Sequence, residues 1–422
     1  MARTHDVVVI GAGQGGLATS HFLAARGIDH VVLEKGAIGE AWRAQRWDSF
    51  CLVTPNWTIT LPGAPYRGDD PDGFMLRDDF VAHLEAWARS FGCPVRPGVA
   101  VARVHGEAGA FRLETSAGPY LARAVVVATA TYQNPRRPAL AAVLPRRLHQ
   151  LDSVGYKNPA ALPPGGVLVV GSGQTGCQIA EELNEAGRPT YLCVGKAGRL
   201  PRRYRGRDCI AWQDAMGWLD RTPDMLENPA QRFRGDPHLS GRKGGHTLSL
   251  HDLAAAGITL LGKLTRVDGE RIDLADDLGA NLAAADAYAA NFYRQVDDHI
   301  ARAAVAAPPP TAAELAGGPP PGAPATPLRP RLDLAAAGIA TVIWATGFDF
   351  DFRWIEFPVC DEAGYPVTRR GETAVPGLCF VGLNWLYKRK SGIIYGVGED
   401  AAWLGDRLAG RLGAADRKDT TA

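Results

Sequence analysis

The sequence contains no C-x-x-C pair; its seven cysteines, at 51, 93, 177, 193, 209, 360 and 379, are scattered. An odd, dispersed set reads as reduced thiols filling the core of a cytoplasmic protein, and it argues against a disulfide reductase. No uninterrupted apolar run reaches the roughly 18 residues that a membrane span requires, so none is expected. Neither charge dominates. Lys+Arg 46 against Asp+Glu 45 leaves a formal net charge of +1, which gives no global pull toward nucleic acid or an anionic membrane. A signal peptide has no room, because the first expected strand begins at Val7. His238, His246 and His251 lack metal-ligand spacing and read as solvated loop residues, so no metal is expected.

What is present is apolar residues in ample supply, 46% of 422, enough for two or three soluble domains. Two stretches resemble each other. Val7-Val-Val-Ile-Gly-Ala-Gly-Gln-Gly-Gly16 and Val167-Leu-Val-Val-Gly-Ser-Gly-Gln-Thr-Gly176 each read as strand, glycine turn, helix. Each runs on to a glycine (Gly27, Gly187) and a second apolar strand (Val31–Glu34, Tyr191–Val194). That is the opening βαβ unit of a dinucleotide-binding fold, written twice. Late partner strands follow at Ala124–Ala130 and Thr341–Gly347.

The fold class expected is therefore α/β, with two Rossmann-like domains, the second inserted into the first. The boundaries read as 1–160, 161–331 and 332–422. Val99–Val104, Phe111–Thr115 and Tyr120–Ala124 read as a small antiparallel meander. From Asp277 to Ala304, apolar residues recur at helical spacing and predict one long amphipathic helix. Ala307–Arg331 is rich in Pro, Gly and Ala and reads as a surface loop or linker. Gly241-Arg-Lys-Gly-Gly245 reads as a basic, mobile stretch, either a lid over the second ligand or a long turn.

In each glycine turn the first glycine permits the bend and the second admits the pyrophosphate. The third lets the helix sit close to the strand, so that its N-terminus faces the phosphate. These are Gly11, Gly13 and Gly16, then Gly171, Gly173 and Gly176, with Gln14 and Gln174 opening the two helices. The ends of the second strands separate the ligands. Glu34 is placed to accept ribose hydroxyls and would repel a 2′-phosphate, which fits FAD. The second copy has no acid there; it offers Lys196 and Arg199, then Arg202, Arg203, Arg205 and Arg207, which suit the 2′-phosphate of NADPH. A solvated basic loop is the alternative.

Taken together these residues resemble the group B flavoprotein monooxygenases, including flavin-containing monooxygenases and YUCCA-type enzymes, over nearly the whole chain. The resemblance is carried by the two glycine turns, Ala345-Thr-Gly347, Gly36–Trp42 with Arg43, and Pro201-Arg-Arg-Tyr-Arg-Gly-Arg207. Pro376–Gly382 and Gly396-Val-Gly-Glu-Asp400 resemble the segment that closes over the flavin. It implies an FAD pocket that includes Lys35, Trp42, Arg43, Thr54, Val101, Ala130, Gly382 and Asp400. Arg43, Asn56 and Tyr387 are the candidates for catalytic polarity, and Trp42, Trp47, Trp57 and Trp385 for an apolar substrate wall, with core packing as the alternative.

The chain departs from the family pattern at defined places. In the identifying F-x-G-x-x-x-H stretch, Arg146 and Leu148 replace the phenylalanine and glycine, Asp152 stands at the histidine, and His149 lies three residues early. Ala130 replaces the glycine of the first A-T-G, and Val53 occupies the place of an asparagine near the flavin. The tryptophan-ended stretch of Baeyer–Villiger enzymes is absent. These changes bear on oxygenation rather than on fold or cofactors.

The resemblance implies one FAD, NADPH as reductant, and a flavin hydroperoxide that transfers one oxygen atom from O2 to a small organic substrate, an amine or a carbonyl compound. Two other readings stay open: a flavin-dependent oxidase or dehydrogenase, and a degenerate flavin-binding protein. The expected partners are the small substrate and O2, with neither nucleic acid nor membrane, and a homodimer is compatible with the sequence. Asp152 is expected to turn away and pair with a base such as Lys157 or Arg203.

Overall fold

The computed structural model describes residues 2–319 and 328–419. The strand Arg3–Ile10 lies at the centre of a seven-stranded sheet, between His30–Leu33, which continues to Val95–Arg96, and Tyr120–Val127. Val7, Val8, Val9 and Val125 to Val127 are wholly buried. Such continuous apolar runs are what a parallel sheet covered on both faces demands. The meander is formed by Val101–Glu107, Ala110–Thr115 and the start of Tyr120–Val127. The expected third meander strand and the expected partner strand are thus one element. Tyr120–Ala122 pairs antiparallel with the meander, while Val125–Val127 pairs parallel with Leu378–Phe380.

The second sheet is all parallel, in the order His149–Asp152, Ile339–Trp344, Gly166–Val170, Thr190–Cys193, Thr259–Leu261. It therefore reaches outside 161–331 at both ends. Leu264–Asp268, Arg271–Leu274 and Arg331–Asp333 form a separate antiparallel ribbon. The long helix runs Leu278–Ala303, burying Leu282, Ala285, Ala289, Phe292 and Val296 on one face. Of the expected linker, 320–327 lie outside the described residues; before them, Gly206 N and Thr311 N donate to Glu314, tying the start of that stretch to the second domain.

The last helix, Ile394–Asp419, packs on Gln14–Ala24; a Cβ on Gly405 would lie 3.0 Å from Phe22. Between the domains, Ser49 and Tyr156 both donate to the carboxylate of Glu182, at 2.5 and 2.7 Å. Lys388 and Lys390 of the return segment meet Asp220 of the inserted domain and Glu399 of the last helix. Among the described residues no helix is long and apolar enough to cross a membrane.

Candidate functional site

The two glycine turns have nearly the same geometry. Gly11 and Gly171 both stand at φ +108°, where a Cβ would lie 2.8 Å from the Ala128 carbonyl oxygen and 2.5 Å from that of Ala345. A Cβ on Gly16 or Gly176 would strike the carbonyl oxygen of Gly11 or Gly171 at 1.8 and 1.9 Å. Gly13 and Gly173 meet nothing within 4 Å. The first and third glycines are thus required by packing, while the second leaves an open face at a helix start that no side chain caps. Uncapped N–H groups and the helix dipole make that face suited to phosphate.

A cavity of about 410 Å³ extends from the first turn. Gly11, Gly13, Gln14, Glu34, Lys35, Trp42, Val101, Ala130 and Gly382 line it; Gly16 packs behind. Glu34 is 7% exposed, and its carboxylate accepts from Ala12 N at 2.7 Å and Gly36 N at 2.9 Å. These bonds fix its orientation and leave lone pairs for hydroxyl donors. Trp42 donates to Gln14 Oε1 at 3.1 Å and meets Phe80 edge-on. Ala130 adopts φ 54°, the left-handed region that a glycine would occupy without strain. A larger cavity of about 1190 Å³ lies between 358–378 and the last helix. It touches neither glycine turn, so the smaller one carries the cofactor argument.

Five expected residues lie outside the 410 Å³ cavity. Arg43 turns outward to Glu85, 2.6 Å away on the helix Arg77–Ser90. Asn56 is buried, donating to the Asp70 carbonyl at 2.9 Å. Thr54 is half-buried in the preceding loop. Tyr387 stacks under the Arg370 guanidinium at 4.4 Å. Asp400 is buried near Arg370, and burial raises its pKa. Of the tryptophans, Trp47 is core, against Phe50, and Trp57 packs on Tyr395. Trp385, at φ 57°, lies beneath Arg389. Sequence reasoning missed Arg46, Tyr132, Asp351 and Trp354, which do line the cavity. For Arg46 a signal existed, since it follows closely on the Gly36–Trp42 stretch.

At the second turn half of the basic cluster, Arg199, Arg202 and Arg205, is already paired. Arg199, 5% exposed, meets Asp286 at 2.9 Å, and Asp286 also holds His251. Arg202 pairs with Asp208 in the core, and Arg205 with Asp297. Lys196 and Arg203 are exposed and have no ion pair among the described residues. Gln174 donates to the Leu239 carbonyl at 3.2 Å.

The histidines are not solvated. His238 is wholly buried and donates through Nε2 to the Ser172 carbonyl in the glycine turn, at 2.6 Å; burial lowers its pKa. His246 meets Glu181 at 2.7 Å, and that bond raises its pKa. Nor is 241–245 free to move as a lid. Arg242 and Lys243 pair with Glu185, and a Cβ on Gly241 would sit 2.0 Å from the Leu52 carbonyl oxygen.

Asp152 ends the edge strand of the second sheet and pairs with Arg137 at 3.0 Å. It does turn to a base, but to neither Lys157 nor Arg203. Lys157 Nζ donates to the carbonyls of Ala44, Arg46 and Val154. His149 cannot take its place, because the register His149↔Thr341 to Asp152↔Trp344 holds it, exposed, at the strand's far end.

All seven cysteines are free, and burial pushes the thiols of Cys51 and Cys93 up to about 11. The family described as pyridine nucleotide-disulphide oxidoreductase matches residues 8–205. An uncharacterized CzcO-like oxidoreductase of Geobacillus kaustophilus is 32% identical over 407 residues, covering 96% of this chain and 98% of that one. The indole-3-pyruvate monooxygenase YUCCA1 of Oryza sativa subsp. japonica is 32% identical over 204 residues, 47% of this chain and 50% of its own length. The chain belongs to the family of CzcO-like oxidoreductases. It is an oxidoreductase. The fold is shared with a flavin-containing monooxygenase from Stenotrophomonas maltophilia, at TM-score 0.66 and 20% identity over 97% of this chain and 99% of that chain. It is also shared with a bacillithiol disulfide reductase from Bacillus cereus, at TM-score 0.61 and 15% identity over 97% and 100%.

Proposed function

We propose that the chain is a single-component, FAD- and NADPH-dependent monooxygenase acting on a small organic substrate. The observation that carries this reading is the repeated glycine turn, sealed at its first and third glycines and open at the second. The residues at the first turn fit FAD. Gly13 and the following N–H groups would hold the diphosphate, Glu34 would accept the ribose hydroxyls, and Val101 and Lys35 line the same cavity. Trp42 holds Gln14 and gives that wall an apolar surface. At the second turn His238 braces the Ser172 carbonyl, and Lys196 is the exposed cation at the end of the second strand, where a 2′-phosphate would reach. When bound, the flavin supplies two-electron exchange with NADPH and the activation of O2, while this chain binds, orients and excludes water.

One observation favours a second reading, an NADPH-driven reductase or oxidase without oxygen insertion. Asp152, paired with Arg137, can only accept hydrogen bonds where the family histidine donates. The experiment is anaerobic reduction of the yellow protein by NADPH and NADH, followed by oxygen and assay of product. Bleaching by NADPH with oxygenated product in step with NADPH consumed supports the monooxygenase; hydrogen peroxide in its place supports the second reading. Lys196→Ala should lower the preference for NADPH by about ten-fold, the loss of one charge-assisted phosphate contact. An unchanged ratio would remove Lys196 from the site.

A further inference from the structure

We propose that Arg46 neutralises the diphosphate of the flavin dinucleotide, an inference that rests on reading the cavity as an FAD site. Arg46 follows the short helix Glu40–Ala44 and lines the same cavity as Gly13 and Gln14. Its guanidinium lies 5.5 Å over Trp42 and 5.6 Å over Phe50. Trp42 is itself tied to Gln14, the first residue of the helix whose N-terminus the diphosphate would face. The cation is therefore mounted on an aromatic plate anchored to the phosphate turn.

Charge supports the assignment. A diphosphate brings about two negative charges, while a helix N-terminus offers roughly half a positive one. A further cation is needed. Arg43 is occupied by Glu85. Arg77 is occupied by Asp48 and Asp78, and Lys157 by three carbonyls. Arg46 has no carboxylate within ion-pair distance among the described residues, and its own donors reach one protein acceptor, the Gln45 carbonyl at 3.2 Å. Its position is fixed from behind, since Arg77 and Lys157 both donate to the Arg46 carbonyl at 3.2 Å. Burial also lowers its pKa, as expected of a cation sunk into protein without a protein counter-charge. A planar guanidinium stacked on a ring and keeping several N–H donors is preorganised for phosphate oxygens.

The test titrates flavin-free protein with FAD and with riboflavin, which has the ring and no phosphate, following flavin fluorescence. Arg46→Met keeps the stem on Trp42 and Phe50 and removes the charge; Arg46→Lys keeps the charge. FAD binding should weaken about ten- to a hundred-fold in Arg46→Met and less in Arg46→Lys, with riboflavin binding unchanged in both. The weakening of FAD binding by added salt should also be shallower in Arg46→Met. If the parent takes FAD and Arg46→Met takes it as tightly, or loses FAD and riboflavin equally, this inference is overturned while the FAD reading stands. If the parent binds no FAD, the FAD reading itself fails.

Discussion

At the scale of single residues, the cavity shows why some expectations were legible and others were not. The glycines and Glu34 could be read because their roles follow from backbone geometry within one short βαβ unit. Arg43 could not, because its fate depends on Glu85, on a helix that pattern alone does not place nearby. Arg199 is similar, being claimed by Asp286 on the long helix. Ala130 is a different case: the sequence showed the alanine, and the structure shows the left-handed backbone that it occupies. It stays at φ 54°, where a Cβ costs roughly 1–2 kcal/mol. Ala130→Gly removes that strain, less about 0.4–1 kcal/mol for the looser unfolded chain. Thermal unfolding should rank Gly above Ala, with Ala130→Val lowest because a β-branched side chain tolerates this region least. A parent more stable than Ala130→Gly would show that contacts of the methyl outweigh the strain.

At the scale of elements, the parallel strands and the helix Leu278–Ala303 were visible because their apolar periodicity is long. The strand His149–Asp152 was not: it has four residues, two of them ionisable, and is a strand only because Thr341–Trp344 pairs with it. The support of the second glycine turn was also hidden. His238 comes from a distant loop and is buried neutral, donating to Ser172 O. Its folded pKa lies below the ordinary 6.5, so the charged form is disfavoured in the fold. The stabilisation is whole above pH 6.5 and is lost as pH falls from there toward the folded value. His30 acts in the same direction. His246, raised by Glu181, acts oppositely, its contribution being present at low pH and lost as pH rises through its folded value. The melting temperature should therefore fall between about pH 7 and pH 5, a window set by histidine titration. His238→Gln keeps a donor for Ser172 without a titrating ring, so it should flatten that fall. A slope as steep as the parent's would assign the acid sensitivity to other groups.

At the scale of the whole molecule, the two dinucleotide-binding units were readable from the repeated motif, but the joint between them was not. The Trp47-Asp48-Ser49 stretch looks like loop sequence, and its role appears only when three distant segments meet. Asp48 N donates to the Lys157 carbonyl, and Asn158 donates to the Asp48 carboxylate at 2.7 Å. Ser49 from the first domain and Tyr156 from the connection converge on Glu182, a residue of the helix that begins at the second glycine turn. Glu182 is 8% exposed, so its charge is held by these two donors rather than by water. Hydrogen bonds to a buried charged group are each worth about 1.5–3 kcal/mol, and those sharing one acceptor do not act independently. Ser49→Ala and Tyr156→Phe should each destabilise the protein by that order in urea unfolding, and the double variant should differ from their sum by more than about 0.5 kcal/mol. The joint also fixes how the helix at the second turn sits against the first domain, so Ser49→Ala should slow flavin reduction by NADPH while leaving FAD content as in the parent. Strict additivity together with an unchanged reduction rate would mean that Glu182 is a local anchor, and that the approach of the two nucleotide sites is set instead by the Asp220, Lys388 and Lys390 contacts.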